Sequence, residues 1–183
     1  KIRKGRPGQG KRKRAKKKAI TQPAIDLPDG GSEVWNAELL RTHQEQDPVL
    51  HQIIQWKRLG DIRPVWDEIS IKNSEVKYWW ARWDSLRLNP DNQVLQFYWM
   101  NRDGTERWRT LLPGTLQKPI MREWHDGIEG GHLGANKTWG RAKRSCFIWC
   151  TLRADVRAHV RECMVCAKNK PGGHGRNAPV KQF

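Results

Sequence analysis

WHDGIEGGHLGANKTWGRAKRSCFIWCTLRADVRAHVRECMVC, residues 124–166, decides how this chain is read. His125 and His132 are separated by six residues, and Cys163 and Cys166 form a Cys-x-x-Cys pair thirty residues beyond. Two imidazoles and two thiolates fill a tetrahedral zinc shell and leave no open position for a catalytic water, so the set predicts one structural zinc ion. Gly127, Gly130 and Gly131, with Gly134 at the edge, let the intervening loop turn sharply enough to return the second imidazole.

Each ligand alone has a plainer reading. A single His is more often a surface or core residue, and a single Cys-x-x-Cys is also a redox motif. A redox pair belongs at a helix start in a strand-helix-strand unit. This one instead closes a helical stretch of about 50 residues, too small to hold a core unaided. Cys146 and Cys150 also permit a four-Cys set of spacing Cys-x3-Cys-x12-Cys-x2-Cys. That alternative wastes the Gly-rich double-His loop and draws the apolar run Phe147 to Trp149 to the metal.

Helices are predicted around the ligands. Leu116, Ile120 and Trp124 fall at i, i+4 and i+8 and mark a helix that delivers His125 at its end. Lys137 to Cys146 reads as a second helix, and Thr151 to Glu162 as a third. In the third, Leu152, Val156 and Val160 form an inward face, while Arg153, Arg157 and Arg161 form a stripe for phosphate or an acidic partner.

Further upstream, Pro48 to Leu59 predicts a helix, with Val49, Ile53 and Trp56 at helical spacing, Pro48 in the first turn and Gly60 as the stop. A second runs over residues 74–84, with Val76, Trp79 and Trp83 on one face. The period then changes to two. Leu86 and Leu88, then Leu95, Phe97 and Trp99, then Trp108, Thr110 and Leu112 predict a three-stranded antiparallel meander with turns at Asn89 to Asn92 and Asn101 to Gly104. Eleven Trp in the chain invite a base-stacking reading, but Trp at alternating or helical spacing builds the core of a small domain more often. Asp67, Glu68 and Asp84 read as solvated surface, and no catalytic constellation can be placed in this region.

The chain's 183 residues carry a net charge of +16, and the excess sits at its two ends. Residues 1–18 hold 11 Lys/Arg and no acid, residues 19–119 hold 12 against 14, and residues 120–183 hold 12 against 5. The first segment has no apolar periodicity, so residues 1–31 are expected to be disordered. Lys11, Arg12, Lys13, Arg14, Lys16, Lys17 and Lys18 read as a solubilising linker, or as a nucleic-acid arm or nuclear-import signal. The last implies a nuclear protein. A mean hydropathy of -0.87 and the lack of a long apolar run argue against a membrane partner. Four Cys are too sparse for a secreted disulfide scaffold, and the missing initiator Met suggests a piece of a longer precursor.

HDGIEGGHLGANKT, SCFIWC, LRADVRAHV and ECMVCAKNK together resemble the His-His-Cys-Cys zinc-binding N-terminal domain of integrases, in the version found in gypsy-type LTR retrotransposons and retroviruses. The resemblance covers residues 115–170 and implies His125, His132, Cys163 and Cys166 as zinc ligands and Trp149 as a core aromatic. That family usually has Pro after this Trp, where Cys150 stands here. Upstream, QEQDPVLHQIIQW, PVWDEI and LLPGTLQKPIMREWHD are similar, more loosely, to the segment joining ribonuclease H to integrase in Pol polyproteins. The implied fold is α+β: a helix-plus-meander extension domain at 32–114, then an all-α zinc bundle with a helix-turn-helix at 115–170. Residues 171–183 read as a linker toward a catalytic core.

Integrase chemistry in that family needs a ribonuclease-H-like core with three metal-binding carboxylates, and only 17 residues follow Cys166. The fragment is therefore expected to bind and organise without cutting or joining DNA. The parent polyprotein implied by the resemblance carries integrase, reverse transcriptase and ribonuclease H, and passes through a cytoplasmic particle stage if its element is active. The expected partners are element-end or target DNA, RNA as a second candidate, and further copies of the parent integrase. A host chromatin or RNA adaptor reusing the zinc fold is the alternative. A polymerase or ribonuclease H remnant would need a carboxylate cluster, which the sequence does not offer.

Overall fold

The computed structural model describes residues 35–169, except 61, 102 and 103. The expectations for residues 1–31 and for the 171–183 linker lie outside the described residues. Among those described, the fold is mixed α/β, with eight α-helices and one four-stranded sheet.

Helices α1 (Ala37–Gln46) and α2 (Pro48–Leu59) are separated by Asp47 alone. Asp47 N-caps α2 by accepting from the amides of Val49 and Leu50, Pro48 sits in the first turn, and Gly60 ends the helix at φ 141, as the sequence predicted. Helix α3 (Trp66–Ser70) precedes α4 (Ser74–Trp80), which is capped by Asn73. The 74–84 prediction breaks after α4 into a turn and a 3-10 segment at Trp83–Ser85. Val76, Trp79 and Trp83 nevertheless share a buried face.

The predicted meander is present as β1 (Leu86–Leu88), β2 (Leu95–Met100) and β3 (Glu106–Leu111), with Leu86 opposite Phe97 and Tyr98 opposite Trp108. Helices α5 (Gly114–His125) and α6 (Ala135–Arg144) follow. The chain then returns as β4 (Phe147–Ile148), parallel to β3, with Thr110 beside Phe147. The metal-binding segment is thus not purely helical: its apolar run FIW supplies a fourth strand before α7 (Leu152–Glu162) and α8 (Met164–Asn169).

Successive residues of a strand face opposite sides of a sheet, and here each side meets its own core. Leu95, Phe97, Leu111 and Ile148 join Val49, Leu50, Ile53, Ile54, Ile69, Val76, Trp79 and Trp83. Val94, Leu112 and Phe147 join Trp35 and Leu40 to Ile120, Trp124, Trp149, Leu152 and Val156 from α5 to α7. Most of the Trp residues are spent here, as core aromatics. Trp149 lies parallel to Trp124 at 5.9 Å and donates its indole N–H to Asp155 at 2.6 Å.

Two polar devices bind the layers. Gln44, fully buried, bridges β2 and β3 by donating to the carbonyls of Leu95 and Leu111 and accepting from the Leu95 amide. Arg107 and Arg109 of β3 reach the C-terminus of α6, where carbonyls lack helical partners. Arg107 donates to Lys143 and Arg144, and Arg109 to Ala142 and to Phe147 of β4. Burial, reinforced by Arg107, lowers the Arg109 pKa to about 10.

Candidate metal centre

His125 is the last residue of α5, whose buried face of Leu116, Ile120, Met121 and Trp124 orients it inward. Its ring is fully buried, and Nδ1 lies 3.2 Å from Thr138 Oγ1, which itself donates to the Leu133 carbonyl at 3.0 Å. With its own proton committed, the Thr138 hydroxyl accepts the Nδ1 proton. The neutral tautomer that results leaves Nε2 free as a ligand, the outer-shell arrangement characteristic of metal-bound imidazoles. Burial holds the His125 pKa below the ordinary value, against the pull of Asp126, which again favours the neutral ring that binds metal.

The loop returns to the site within six residues. The His132 amide donates to the His125 carbonyl at 2.9 Å, so the second ligand's backbone is tied to the first's. Gly130 is required by this closure, since a Cβ there would lie 2.4 Å from the His125 oxygen, and Gly131 turns the chain at φ 51. Cys163 terminates α7 and Cys166 lies in α8, its position set by the hydrogen bond from the Ala167 amide to the Cys163 carbonyl.

The four sequence-predicted ligands converge. Their donor atoms all lie within 4.8 Å of one another, with Cys166 Sγ 3.3 Å from His125 Nε2 and Cys163 Sγ 3.3 Å from His132 Nδ1. A tetrahedral ion with zinc–nitrogen and zinc–sulfur bonds of usual length separates its ligands by roughly 3.5 Å, so this donor set fits zinc. Two neutral imidazoles and two thiolates leave no vacancy for substrate or water, and the site holds one structural zinc.

Cys146 and Cys150 are elsewhere, and the four-Cys alternative falls with them. Cys146 packs against the core shared by α5 to α7, and burial raises its thiol to about pKa 11. Cys150 packs on the opposite core, with Sγ 3.4 Å from Glu75 Oε1. Its pKa also rises to about 11, first from burial and then from that carboxylate. Neither belongs to the metal-binding group.

Arg153, Arg157 and Arg161 lie exposed along α7, as the four-residue repeat predicted, with the Arg153 guanidinium 5.9 Å from the Trp139 ring. Lys11, Arg12, Lys13, Arg14, Lys16, Lys17 and Lys18 lie outside the described residues. Three site residues were not foreseen: Thr138, Asp126 and His159. Asp126 Oδ1 is 3.9 Å from His125 Nε2, 3.7 Å from His132 Nδ1 and 3.8 Å from His159 Nε2. Only His159 carried a signal in the sequence, its position four residues before Cys163.

Residues 112–172 match the family model described as the integrase zinc binding domain. No curated protein and no solved structure matches the chain.

Proposed function

From the premise that residues 112–172 are an integrase-type zinc-binding domain, we propose that the protein is a non-catalytic, nucleic-acid-associated module of a retroviral-type integrase. Its roles in this reading are to help the parent enzyme multimerise and to position it on element-end or target DNA. The observation that carries the reading is the closed His125, His132, Cys163, Cys166 set at the heart of the matched segment. When bound, zinc supplies four structural bonds and no reactive position. The chain's own residues do the rest: α7 is held between the core and the ligand loops, and it keeps Arg153, Arg157 and Arg161 on one exposed face. Ile128, exposed on the loop between the His ligands, and Met164 and Val165, exposed at the start of α8 between the Cys ligands, support self-association with a second copy. The basic run Lys11 to Lys18 adds charge for the same polyanion and supports a nuclear location.

The test is the salt dependence of duplex DNA binding. Each phosphate neutralised adds about -0.9 to the log-log slope. Replacing Arg153, Arg157 and Arg161 together with Ala should therefore flatten the slope by about 2 to 3 units while one zinc per chain is retained. Deleting residues 1–18 should flatten it by several units more. An unchanged slope in both variants would remove the nucleic-acid role.

A further inference from the structure

We propose that His159 is a reserve ligand of the metal centre, a fifth protein donor that keeps an ion bound when Cys163 is withdrawn. His159 lies on α7, four residues before Cys163, and side chains at i and i+4 share one helix face. Its ring centroid is 5.5 Å from that of His125, at an interplanar angle of 88°. The two ligand imidazoles, His125 and His132, stand 5.2 Å apart at the same 88°. His159 thus flanks His125 much as the second imidazole ligand does.

The inward-facing nitrogen is uncommitted. His159 Nε2 is buried and has no hydrogen-bond partner among the described residues. The nearest carboxylate oxygen, Asp126 Oδ1, is 3.8 Å away, beyond hydrogen-bond range. A buried polar atom without a partner is costly unless something claims it. The same Asp126 oxygen stands 3.9 Å from His125 Nε2 and 3.7 Å from His132 Nδ1, so three imidazole nitrogens surround one point at the edge of the zinc shell. With both thiolates present the shell is full and His159 stays outside it. His159 stands outside the close group of His125, His132, Cys163 and Cys166, but without Cys163 a turn of its ring toward His125 would complete a three-imidazole, one-thiolate set with His125, His132 and Cys166, which again suits a tetrahedral ion.

The proposal rests on the zinc reading, and cobalt(II) titration of the full chain separates the two. Unaltered protein should take up one Co2+ with the charge-transfer absorption of two thiolates. Failure there counts against the zinc reading itself. Cys163→Ser should still bind one Co2+, more weakly than the unaltered chain, with the thiolate band roughly halved because one of two thiolates is gone. Adding His159→Phe to that variant should abolish binding, whereas adding Asp126→Asn should not. His159→Phe alone should leave the band and the affinity of the unaltered chain in place. Far-UV circular dichroism with Co2+ present reads folding alongside, and a Cys163→Ser chain that stays unfolded at saturating Co2+ overturns the proposal. Equal affinity of Cys163→Ser with and without His159 also overturns it. Loss of the ion from His159→Phe alone would make His159 a primary ligand and overturn the reserve role.

Discussion

At the scale of single residues, the centre depends on a hydroxyl that binds no metal. Thr138 accepts from His125 and donates to Leu133, which fixes the tautomer that exposes Nε2. Thr138→Val keeps the volume and removes the acceptor, leaving a buried N–H unpaired. Zinc affinity measured by chelator competition should fall about 10 to 100-fold, and Thr138→Ser should restore most of it. Cys146 gives a prediction in the alkaline range. Its folded pKa of about 11 lies above the unfolded thiol value, so its contribution is intact below about pH 9 and is lost as pH rises toward 11. Arg109 acts with the opposite sign above pH 10, because its folded pKa is lowered, which leaves pH 9 to 10 as the clean window. Urea midpoints should decline there for the unaltered chain and decline less for Cys146→Ala, which should still carry one zinc.

Among the elements, α6 shows how one helix end is held by another part of the chain. Its C-terminal carbonyls face Arg107 and Arg109 of β3. Arg109→Met removes the buried donor shared by Ala142 O and Phe147 O and leaves them only the single proton of the Ser145 hydroxyl, so one acceptor goes unpaired, although the change also relieves the burial of a charge. The unpaired acceptor should win by about 1 to 3 kcal/mol in denaturant unfolding, with fast amide exchange confined first to the last turn of α6 and to β4. A stability equal to the unaltered chain would show that relief of the buried charge matters as much. The elements also differ in how openly the sequence declares them. Asp47, Pro48 and Gly60 bracket α2 by local chemistry, and the alternation of Leu95, Phe97 and Trp99 marks β2, so both were legible. Helix α1 was not, because its inward face is little more than Leu40 and a buried Gln44. Helix α8 buries nothing, and β4 is two residues long and gains strand character only by pairing with Thr110 and Leu111, far away in sequence.

On the scale of the whole molecule, the ligands were legible because zinc chemistry restricts residue type and number. The coupling between the metal segment and the upstream segment was not, because it runs through long-range contacts: the β3–β4 pairing, the Arg107 and Arg109 bonds to α6, and the indole of Trp35. That indole packs on Phe147 and donates to Glu123 of α5, in a core otherwise built mainly by α5 to α7. Binding free energy at such a site acts as folding free energy. Chelation should therefore shift the indole N–H signals of Trp124, Trp139, Trp149 and also Trp35. Trp79 and Trp83, in the core on the other side of the sheet, should hold theirs. A Trp35 signal indifferent to the metal would show that this core does not transmit the loss, and collapse of Trp79 and Trp83 would show one cooperative unit.

The parallel seam between β3 and β4 also makes the molecule a linkage with crossed ties. The seam joins Thr110 to Phe147, and the metal site joins His125 and His132, which lie between those two residues, to Cys163 and Cys166, which lie beyond them. Tension applied across this region has two routes, one through the strands and α7, the other through α5 and the ion. Release of the ion leaves the strands holding, and slippage of the strands leaves the ion holding. A tether of this kind resists extension until both ties have failed.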